Sequence, residues 1–150
     1  MRLGLFSLEY DLFNEERSQK WEGIREKVEG KRVKRDLCER TFRSTGRIVR
    51  LCQSLDERPG VARTLGRQLL RSGTSIGANV EEGQAGQSRA GFMSKYSIAA
   101  KEARETHYWL RLLASNEIVP EADVQDLLEE CNQLIAILTT IIKKTKENAQ

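Results

Sequence analysis

The sequence has few of the residues that build catalytic or metal centres. It holds one histidine and three cysteines, and the cysteines lie far apart without a Cys-x-x-Cys pair. That spacing excludes the usual zinc and dithiol redox motifs. No nucleophile, base and orienting group stand together at a usable spacing, and this includes the surroundings of His107. We therefore expect no metal, no cofactor and no enzymatic activity.

Proline, aromatic residues and long apolar runs are scarce as well. Two prolines and 6% aromatics favour helix over other structure. The longest uncharged apolar run, residues 134–142, is far shorter than the roughly 20 residues of a membrane-spanning helix. Glu9 and Asp11 interrupt the N-terminus before any adequate apolar region, so no secretory signal is expected. A length of 150 residues suits one domain. We expect a cytoplasmic protein without a membrane partner.

Positive charge is concentrated in one part of the chain. Residues 31–75 carry 12 cations and 4 anions, whereas residues 1–30 and 76–150 are net acidic. The whole chain has a formal net charge of +3. Such a dipolar distribution gives the basic segment a field that attracts anionic partners.

Apolar residues recur at helical spacing in four segments. The ends of the segments are marked by the loss of this spacing and by proline and glycine. The four apolar lines are Leu37, Thr41, Thr45, Ile48, Cys52 and Leu55; Val61, Leu65, Leu69, Ser72, Ile76 and Val80; Phe92, Tyr96, Ala99, Ala103, Thr106, Leu110 and Leu113; and Val124, Leu127, Cys131, Leu134, Leu138 and Ile141. Pro59-Gly60, Gly83 with Gly86, and Pro120 separate them, and Ser88 is suited to cap the third helix. Short loops force antiparallel neighbours. The pattern predicts an all-α, antiparallel up-down-up-down four-helix bundle over residues 31–150.

Residues 1–30 have only weak periodicity and are mostly polar after Phe13. We interpret them as an N-terminal extension outside the core, flexible or loosely helical. Cys52 and Cys131 fall on apolar faces and Cys38 lies beside one, so we expect the cysteines to be buried small hydrophobic residues.

The most distinctive stretch is residues 71–83, which read R-S-G-T-S-I-G-A-N-V-E-E-G. It resembles the signature R-S-x-T-S-I-x-x-N-x-x-E-G of the four-helix bundle proteins called 23S rRNA intervening-sequence proteins. The resemblance covers roughly residues 36–147. Its structural motif positions are Ser72, Ser75, Asn79, Glu82 and Gly83, and the third-helix continuation matches at Ser88, Phe92, Tyr96, Ile98, Ala99, Glu105 and Leu110.

That resemblance implies a cytoplasmic bacterial protein that forms ring-shaped homo-oligomers, with a pentamer expected. Some members of the family are encoded inside insertions of large-subunit ribosomal RNA genes. A related branch comprises the accessory variability proteins of diversity-generating retroelements, which bind a reverse transcriptase and nucleic acid. The resemblance therefore implies RNA or DNA, and a protein such as a reverse transcriptase, as partners, and it implies no enzymatic activity.

The motif also has a physical interpretation. Serine and asparagine are poor choices for a helix interior, so tertiary contacts must offset their cost at Ser72, Ser75 and Asn79. We interpret them as a polar clasp between helices that fixes register. The alternative is a contact with a ligand or nucleic acid. Arg71 is placed to form an ion pair with Glu82 or Glu105.

Two arginine stripes follow from helical spacing in the basic segment. The predicted nucleic-acid-binding residues are Arg40, Arg43, Arg47 and Arg50 on the first helix, and Arg63, Arg67 and Arg71 on the second. The guanidinium fork suits phosphate, so the stripes predict a scaffold that associates with RNA. The alternatives are a solvated face or pairing with acidic residues on a neighbouring subunit's fourth helix.

A protein-interaction or assembly module that binds no nucleic acid is the second hypothesis. Its docking residues would be Tyr108 and Trp109, or the aromatic residues of the extension, which are Phe6, Tyr10, Phe13 and Trp21. The third helix is apolar beyond its main seam, because Tyr108, Trp109 and Leu112 stand beside it. A helix with a second apolar face has a second surface to bury, which predicts oligomerisation.

Overall fold

The computed structural model describes residues 3–148, and for most of residues 3–35 it describes the backbone alone. Four helices account for most of it: α1 (Leu3–Asp56), α2 (Val61–Ala85), α3 (Arg89–Ser115) and α4 (Glu121–Glu147). No strand occurs between residues 3 and 148. By its internal contacts the chain divides into two units, residues 1–36 and 37–150.

The unit of residues 37–150 is the predicted antiparallel four-helix bundle. Side-chain hydrogen bonds join α1 to α2 (Thr45 to Gly73) and α1 to α4 (Arg40 to Glu130). Others join α2 to α3 and α3 to α4. The helices therefore follow one another around the bundle, as the short connecting loops require.

The core consists of two clusters of buried apolar side chains, one toward each end of the bundle. The cluster near the α1–α2 and α3–α4 loops includes Ile48, Leu69, Leu110 and Leu127. The other cluster, toward the α2–α3 loop, includes Leu37, Val80, Tyr96, Ala103 and Leu138. Every position of the predicted third-helix seam is buried except Phe92, which is half-buried. The heptad spacing of that seam is what directs one continuous face inward.

The helix ends agree with the predicted signals. The Ser88 side chain accepts a hydrogen bond from the Gly91 backbone N–H at 3.0 Å, which satisfies one of the free donors at the start of α3. Pro120 directly precedes α4, and Lys144 and Lys146 lie in its last turn, where cations favour the helix dipole. Gly60 takes a φ of 91° in the turn before α2, a conformation that favours glycine.

Close approach of α1 and α2 depends on glycines that face α1. A Cβ atom added at Gly73 would stand 2.8 Å from Ile48 Cδ1, and one added at Gly66 would stand 3.0 Å from Leu55 Cβ. Neither distance is available to a real methyl group without movement of a buried side chain. These positions therefore set the α1–α2 separation.

Two details differ from the sequence prediction. Helix α1 begins at Leu3 and not near residue 31, because residues 3–30 contain no proline and many strong helix formers such as Glu, Arg and Lys. Val61 is 67% exposed, and its neighbour Ala62 is buried in its place. The extension of residues 1–30 outside the core stays a prediction. Its aromatic residues lie outside the described side chains: Phe6, Tyr10, Phe13 and Trp21.

Candidate nucleic-acid interface

The structure distributes the seven predicted arginines over separate surfaces. Arg40, Arg43 and Arg47 line an open cavity beside α4, which we call the α1–α4 cavity. Arg63 and Arg67 line a cavity between α1 and α2. Arg71 reaches α3, and Arg50 is exposed on α1. The arginines of α1 that line a cavity lie beside α4, whereas those of α2 lie beside α1 or α3.

Arg40 connects α1 to α4. Its Nε donates to Glu130 Oε1 at 2.7 Å and its Nη2 donates to Glu130 Oε2 at 2.8 Å. Nη2 also donates to Gln133 Oε1 at 2.6 Å. This bidentate bond holds the pKa of Glu130 below its ordinary value, and the charges of Arg40, Arg47 and Arg43 lower it further. Arg40 therefore has a structural partner within its own chain.

Arg43 and Arg47 are bound less firmly. Arg43 Nε lies 3.6 Å from Glu39 Oε1, and Arg47 Nη2 lies 3.6 Å from Asp126 Oδ2. Both distances are too long for a hydrogen bond. Both carboxylates are largely exposed, and ion pairs of this kind contribute at most about 1 kcal/mol. The guanidinium groups of Arg43 and Arg47 thus keep donors without a hydrogen bond in the described part of the chain.

Arg63 has a structural role at the end of α1. Its Nε and Nη2 donate to the Asp56 carbonyl oxygen at 2.9 and 2.7 Å, and Nε lies 3.4 Å from Asp56 Oδ1. A cation on a C-terminal carbonyl satisfies an acceptor that the helix leaves free. Arg67, one turn further along α2, is exposed and makes no hydrogen bond or ion pair with the described residues.

Arg71 belongs to what we call the α2–α3 edge, the contact of Arg71 and Ser72 with Glu102, Glu105 and Thr106. Its guanidinium pairs with Glu105 and stands 3.4 Å from Glu102 Oε2. The bond from Arg71 lowers the pKa of Glu105, and a second bond from Trp109 Nε1 at 3.1 Å lowers it further. The predicted Arg71–Glu105 pair is therefore present.

Of the two predicted alternatives for Arg71, the structure selects Glu105 and not Glu82. Glu82 pairs with Lys95 on α3 instead, so that this carboxylate joins α2 to α3 near their connecting loop. Glu82 and Arg71 lie three turns apart on the same helix, and a side chain reaches only its neighbours one turn away.

The motif residues form contacts within α2 and with α3. Ser72 Oγ is fully buried, accepts from Thr106 Oγ1 at 3.0 Å and donates to the Leu69 carbonyl at 3.3 Å. Asn79 Nδ2 donates to the Ser75 carbonyl at 2.8 Å and to Ser75 Oγ at 3.0 Å, so it stays within its own helix. The predicted polar clasp between helices is therefore correct for Ser72 and wrong for Ser75 and Asn79, which bond to each other within α2.

Gly83 closes the motif by bringing α2 against an aromatic ring. The glycine is buried, and a Cβ atom there would meet the Tyr96 ring at 2.9 Å. Tyr96 is fully buried, and its hydroxyl accepts a hydrogen bond from Gln84 Nε2. Burial raises the pKa of Tyr96 to about 12, so the ring stays neutral.

Sequence reasoning missed Ser44. Its side chain lines the α1–α4 cavity, is only 5% exposed, and its Oγ is the one buried side-chain polar atom in the described residues without a hydrogen-bond partner. The available signal was its place directly after Arg43 and one turn after Arg40, on the side of α1 that turns toward the core.

Several apolar side chains are exposed on the outside of the bundle. Phe42 is 72% exposed on α1, and Tyr108 is 53% exposed on α3, edge-on to Trp109 with ring centroids 5.0 Å apart. Leu70 and Ile98 are also exposed. Scattered apolar residues are normal on a surface, but an exposed aromatic residue such as Tyr108 is of a type enriched at contact surfaces.

The remaining reactive side chains are isolated. Burial raises the pKa of Cys52 to about 11 and that of Cys131 to about 12, so both thiols are protonated at neutral pH. Burial and the charge of Arg111 lower the pKa of His107. The described residues include no group of three His, Cys, Asp or Glu side chains that could hold a metal ion. Over the same residues, every helix is too short or too polar to traverse a bilayer.

Comparison with known proteins identifies a family and a structural relative. Residues 34–140 match the family described as 23S rRNA-intervening sequence protein. The bundle is also similar to the crystal structure of a protein of unknown function from the S23 ribosomal protein family of Bacteroides thetaiotaomicron VPI-5482. The two are 37% identical with a TM-score of 0.68, over 73% of this chain and 97% of that chain. No curated protein matches the chain.

Proposed function

Because the chain belongs to the family of 23S rRNA-intervening sequence proteins, we propose that it is a cytoplasmic, non-enzymatic, homo-oligomeric scaffold that associates with nucleic acid, RNA foremost. One observation carries the proposal. Arg43, Arg50 and Arg67 are exposed on α1 and α2, and none of them makes a hydrogen bond to a described residue. Their donors are available to the phosphates of a nucleic acid backbone.

The charge distribution supports the same function. Residues 31–75 carry 12 cations against 4 anions, and most of the segment lies on α1 and α2. Several copies in one assembly would repeat this surface and strengthen its field. Binding of this kind reads the backbone and not the bases, and it weakens steeply as salt rises.

Assembly is supported by apolar side chains on the outside of the bundle. Phe42, Leu70, Ile98 and Tyr108 are exposed in the single chain, and association of several copies would bury some of them. The resemblance noted above implies a pentamer. Light scattering with the full chain tests this: we expect a mass several times 17.1 kDa. A monomeric mass at micromolar concentration would contradict the assembly.

Fluorescence anisotropy with a labelled structured RNA, titrated at several salt concentrations, tests the nucleic-acid function. We expect the logarithm of the binding constant to fall linearly with that of the salt concentration, with a slope that reports the number of phosphates engaged. The variant with Arg43→Glu and Arg47→Glu should lose most of the affinity.

A matched control has the same change of net charge elsewhere. Lys101 and Arg111 are exposed on α3 and make no ion pair with a described residue, so Lys101→Glu with Arg111→Glu should reduce affinity much less. No binding by the wild-type chain at low salt would overturn the nucleic-acid function. An equal loss in both variants would show attraction by net charge alone.

A second candidate is an assembly module that binds a protein and no nucleic acid. The exposed Tyr108 beside Trp109 favours it, because aromatic residues are enriched at protein interfaces. A reverse transcriptase is the partner that the resemblance to retroelement accessory proteins implies. A pull-down with the Tyr108→Ala variant should lose a partner that the wild-type chain retains. Equal recovery by both would remove this surface from consideration.

A further inference from the structure

The α1–α4 cavity has the composition of an anion site. It measures about 410 Å³ and is lined by Arg40, Arg43, Ser44, Arg47 and Glu130. Three guanidinium groups therefore face one carboxylate, which leaves the lining with two positive charges in excess. All three arginines influence Glu130, since the charges of Arg40, Arg43 and Arg47 each lower its pKa. The three arginine side chains therefore lie close to one another around the opening between α1 and α4.

The hydroxyl group of Ser44 distinguishes the cavity from an ordinary network of surface ion pairs. Its hydroxyl is buried without a partner, although a serine inside a helix can usually bond the carbonyl one turn back. A buried polar atom without a partner is unfavourable and calls for a physical reason. Ser44 is one of the residues that line the α1–α4 cavity, and the other donors of that lining are arginines.

Some of the arginine donors around the cavity bond to other residues of the chain, and others do not. Arg40 makes three hydrogen bonds to Glu130 and Gln133, which hold its side chain in place at the edge of the cavity. Arg43 and Arg47 make no hydrogen bond, and their carboxylate neighbours Glu39 and Asp126 stand 3.6 Å away in solvent. An anion that entered the cavity would replace these weak contacts with charge-assisted hydrogen bonds.

We propose that the α1–α4 cavity binds one phosphate group, held by Arg43 and Arg47 with the Ser44 hydroxyl as a third donor. A phosphate oxygen would give Ser44 the partner that it lacks within the chain. The occupant that follows from the proposed function, on which this part of the inference rests, is a phosphate of the RNA backbone. The other source of the same chemistry is a free phosphate, which the experiment separates from the first.

The first measurement is thermal unfolding of the full chain in inorganic phosphate, against chloride at equal ionic strength. A ligand that binds only the folded state raises the melting temperature, and the rise levels off as the site fills in the way that mass action requires. A general salt effect does not saturate in this way. We expect a saturating rise in the wild-type chain.

Three variants locate the site. Arg43→Gln with Arg47→Gln should abolish the saturating rise, and Ser44→Ala should weaken phosphate affinity about tenfold, as expected for one hydrogen bond to a charged group. Arg50→Gln is the matched control, because Arg50 belongs to the same stripe and does not line the cavity. None of these changes removes a hydrogen bond within the chain, so circular dichroism should show folded helices in each.

The second measurement is the salt dependence of RNA binding in the same variants. Arg43→Gln with Arg47→Gln should make the slope shallower by about one, the loss of one phosphate contact. If phosphate binds and the wild-type chain does not bind RNA, the cavity stands as a free-phosphate site and the proposed function fails. If the wild-type chain binds RNA, phosphate gives no saturating rise, and Arg43→Gln with Arg47→Gln changes the slope no more than expected from the loss of two exposed cations such as Arg50, the cavity is overturned and RNA binding by the chain stands.

Discussion

The α2–α3 edge and the α1–α4 cavity are built from the same kinds of side chain, yet only one of them is internally satisfied. Each has a buried serine, an arginine bound to a glutamate and further charges nearby. At the α2–α3 edge, Ser72 both accepts and donates, and Arg71 pairs with two carboxylates. At the α1–α4 cavity, Ser44 has no partner and two arginines make no hydrogen bond.

The two sites show that buried polar side chains can serve two different roles. A closed network fixes how two helices pack, because any shift would break several bonds at once. An open one leaves donors for a molecule from outside and contributes less to stability. The family motif lies on the closed side, so it specifies the fold. The arginines of α1 lie on the open side, which is where we place function.

The largest expected effect comes from the closest packing at the α2–α3 contact. Gly83→Ala puts a methyl group 2.9 Å from the buried Tyr96 ring and 3.3 Å from Lys95 Cβ. Overpacking of this kind costs about 1–3 kcal/mol, more than the roughly 1 kcal/mol that alanine gains as a helix former. We expect a net loss in the free energy of unfolding, measured by urea denaturation.

Gly46 on α1 provides the matched control for that substitution. The nearest atom to an added Cβ is Arg50 Nη1 at 3.9 Å, an ordinary contact. Gly46→Ala should therefore stabilise the chain by up to about 1 kcal/mol. A destabilisation of equal size at both positions would show that the Tyr96 contact is not what limits Gly83.

The same substitution at the two buried serines should give results of opposite sign. Ser72→Ala removes the buried hydrogen bond between Thr106 and Ser72 that joins α2 to α3, although Thr106 keeps its bond to the Glu102 carbonyl, and it should cost about 1 kcal/mol. Ser44→Ala removes a hydroxyl without a partner and replaces it with a better helix former, so in phosphate-free buffer it should be neutral or slightly stabilising. Urea denaturation of both variants measures the difference. A clear loss at Ser44 would mean that its hydroxyl has a partner within the folded chain.

The smallest effect concerns the carboxylates that the arginines hold. The pKa values of Glu130 and Glu105 are lowered on folding, so their contribution to stability is present above the ordinary value of 4.5 and is lost as pH falls through the lowered values. Arg40→Gln should raise the pKa of Glu130 and leave that of Glu105 in place.

Because the hydrogen bond from Arg40 is the largest cause of the shift at Glu130, Arg43→Gln or Arg47→Gln should raise that pKa less. Carbon-detected NMR titration of the side-chain carboxyl groups resolves the two residues. Equal shifts from all three substitutions would show that charge alone, without the bidentate bond, sets the pKa of Glu130.

Local patterns predicted the fold well where helices are strongly periodic. The seam that ends at Leu110 and Leu113 is buried as its spacing indicates, and Ser88 caps α3. The pattern was wrong at Val61, which was assigned to the buried face of α2. In the structure Val61 is exposed in the first turn of the helix, and Ala62 is buried in its place. It also placed the start of α1 too late, because a polar helix has no apolar period to reveal it.

The candidate site was only half predictable. Helical spacing correctly indicated that Arg40, Arg43 and Arg47 share a face of α1. It could not show that Glu130 would meet Arg40, since ninety residues separate them and only packing brings them together. The same holds for Ser44, whose burial and lack of a partner depend on α4 as much as on α1.

The glycines of α2 have a consequence for how the chain folds. Helix α2 contains four of them, whereas α4 contains none. Each glycine disfavours an isolated helix by about 1 kcal/mol relative to alanine, so α2 cannot form early on its own. Its helical shape arises only as it docks against α1 and α3, where the missing side chains allow close approach. We therefore expect α2 to depend more on its neighbours for its helical structure than the glycine-free α4 does.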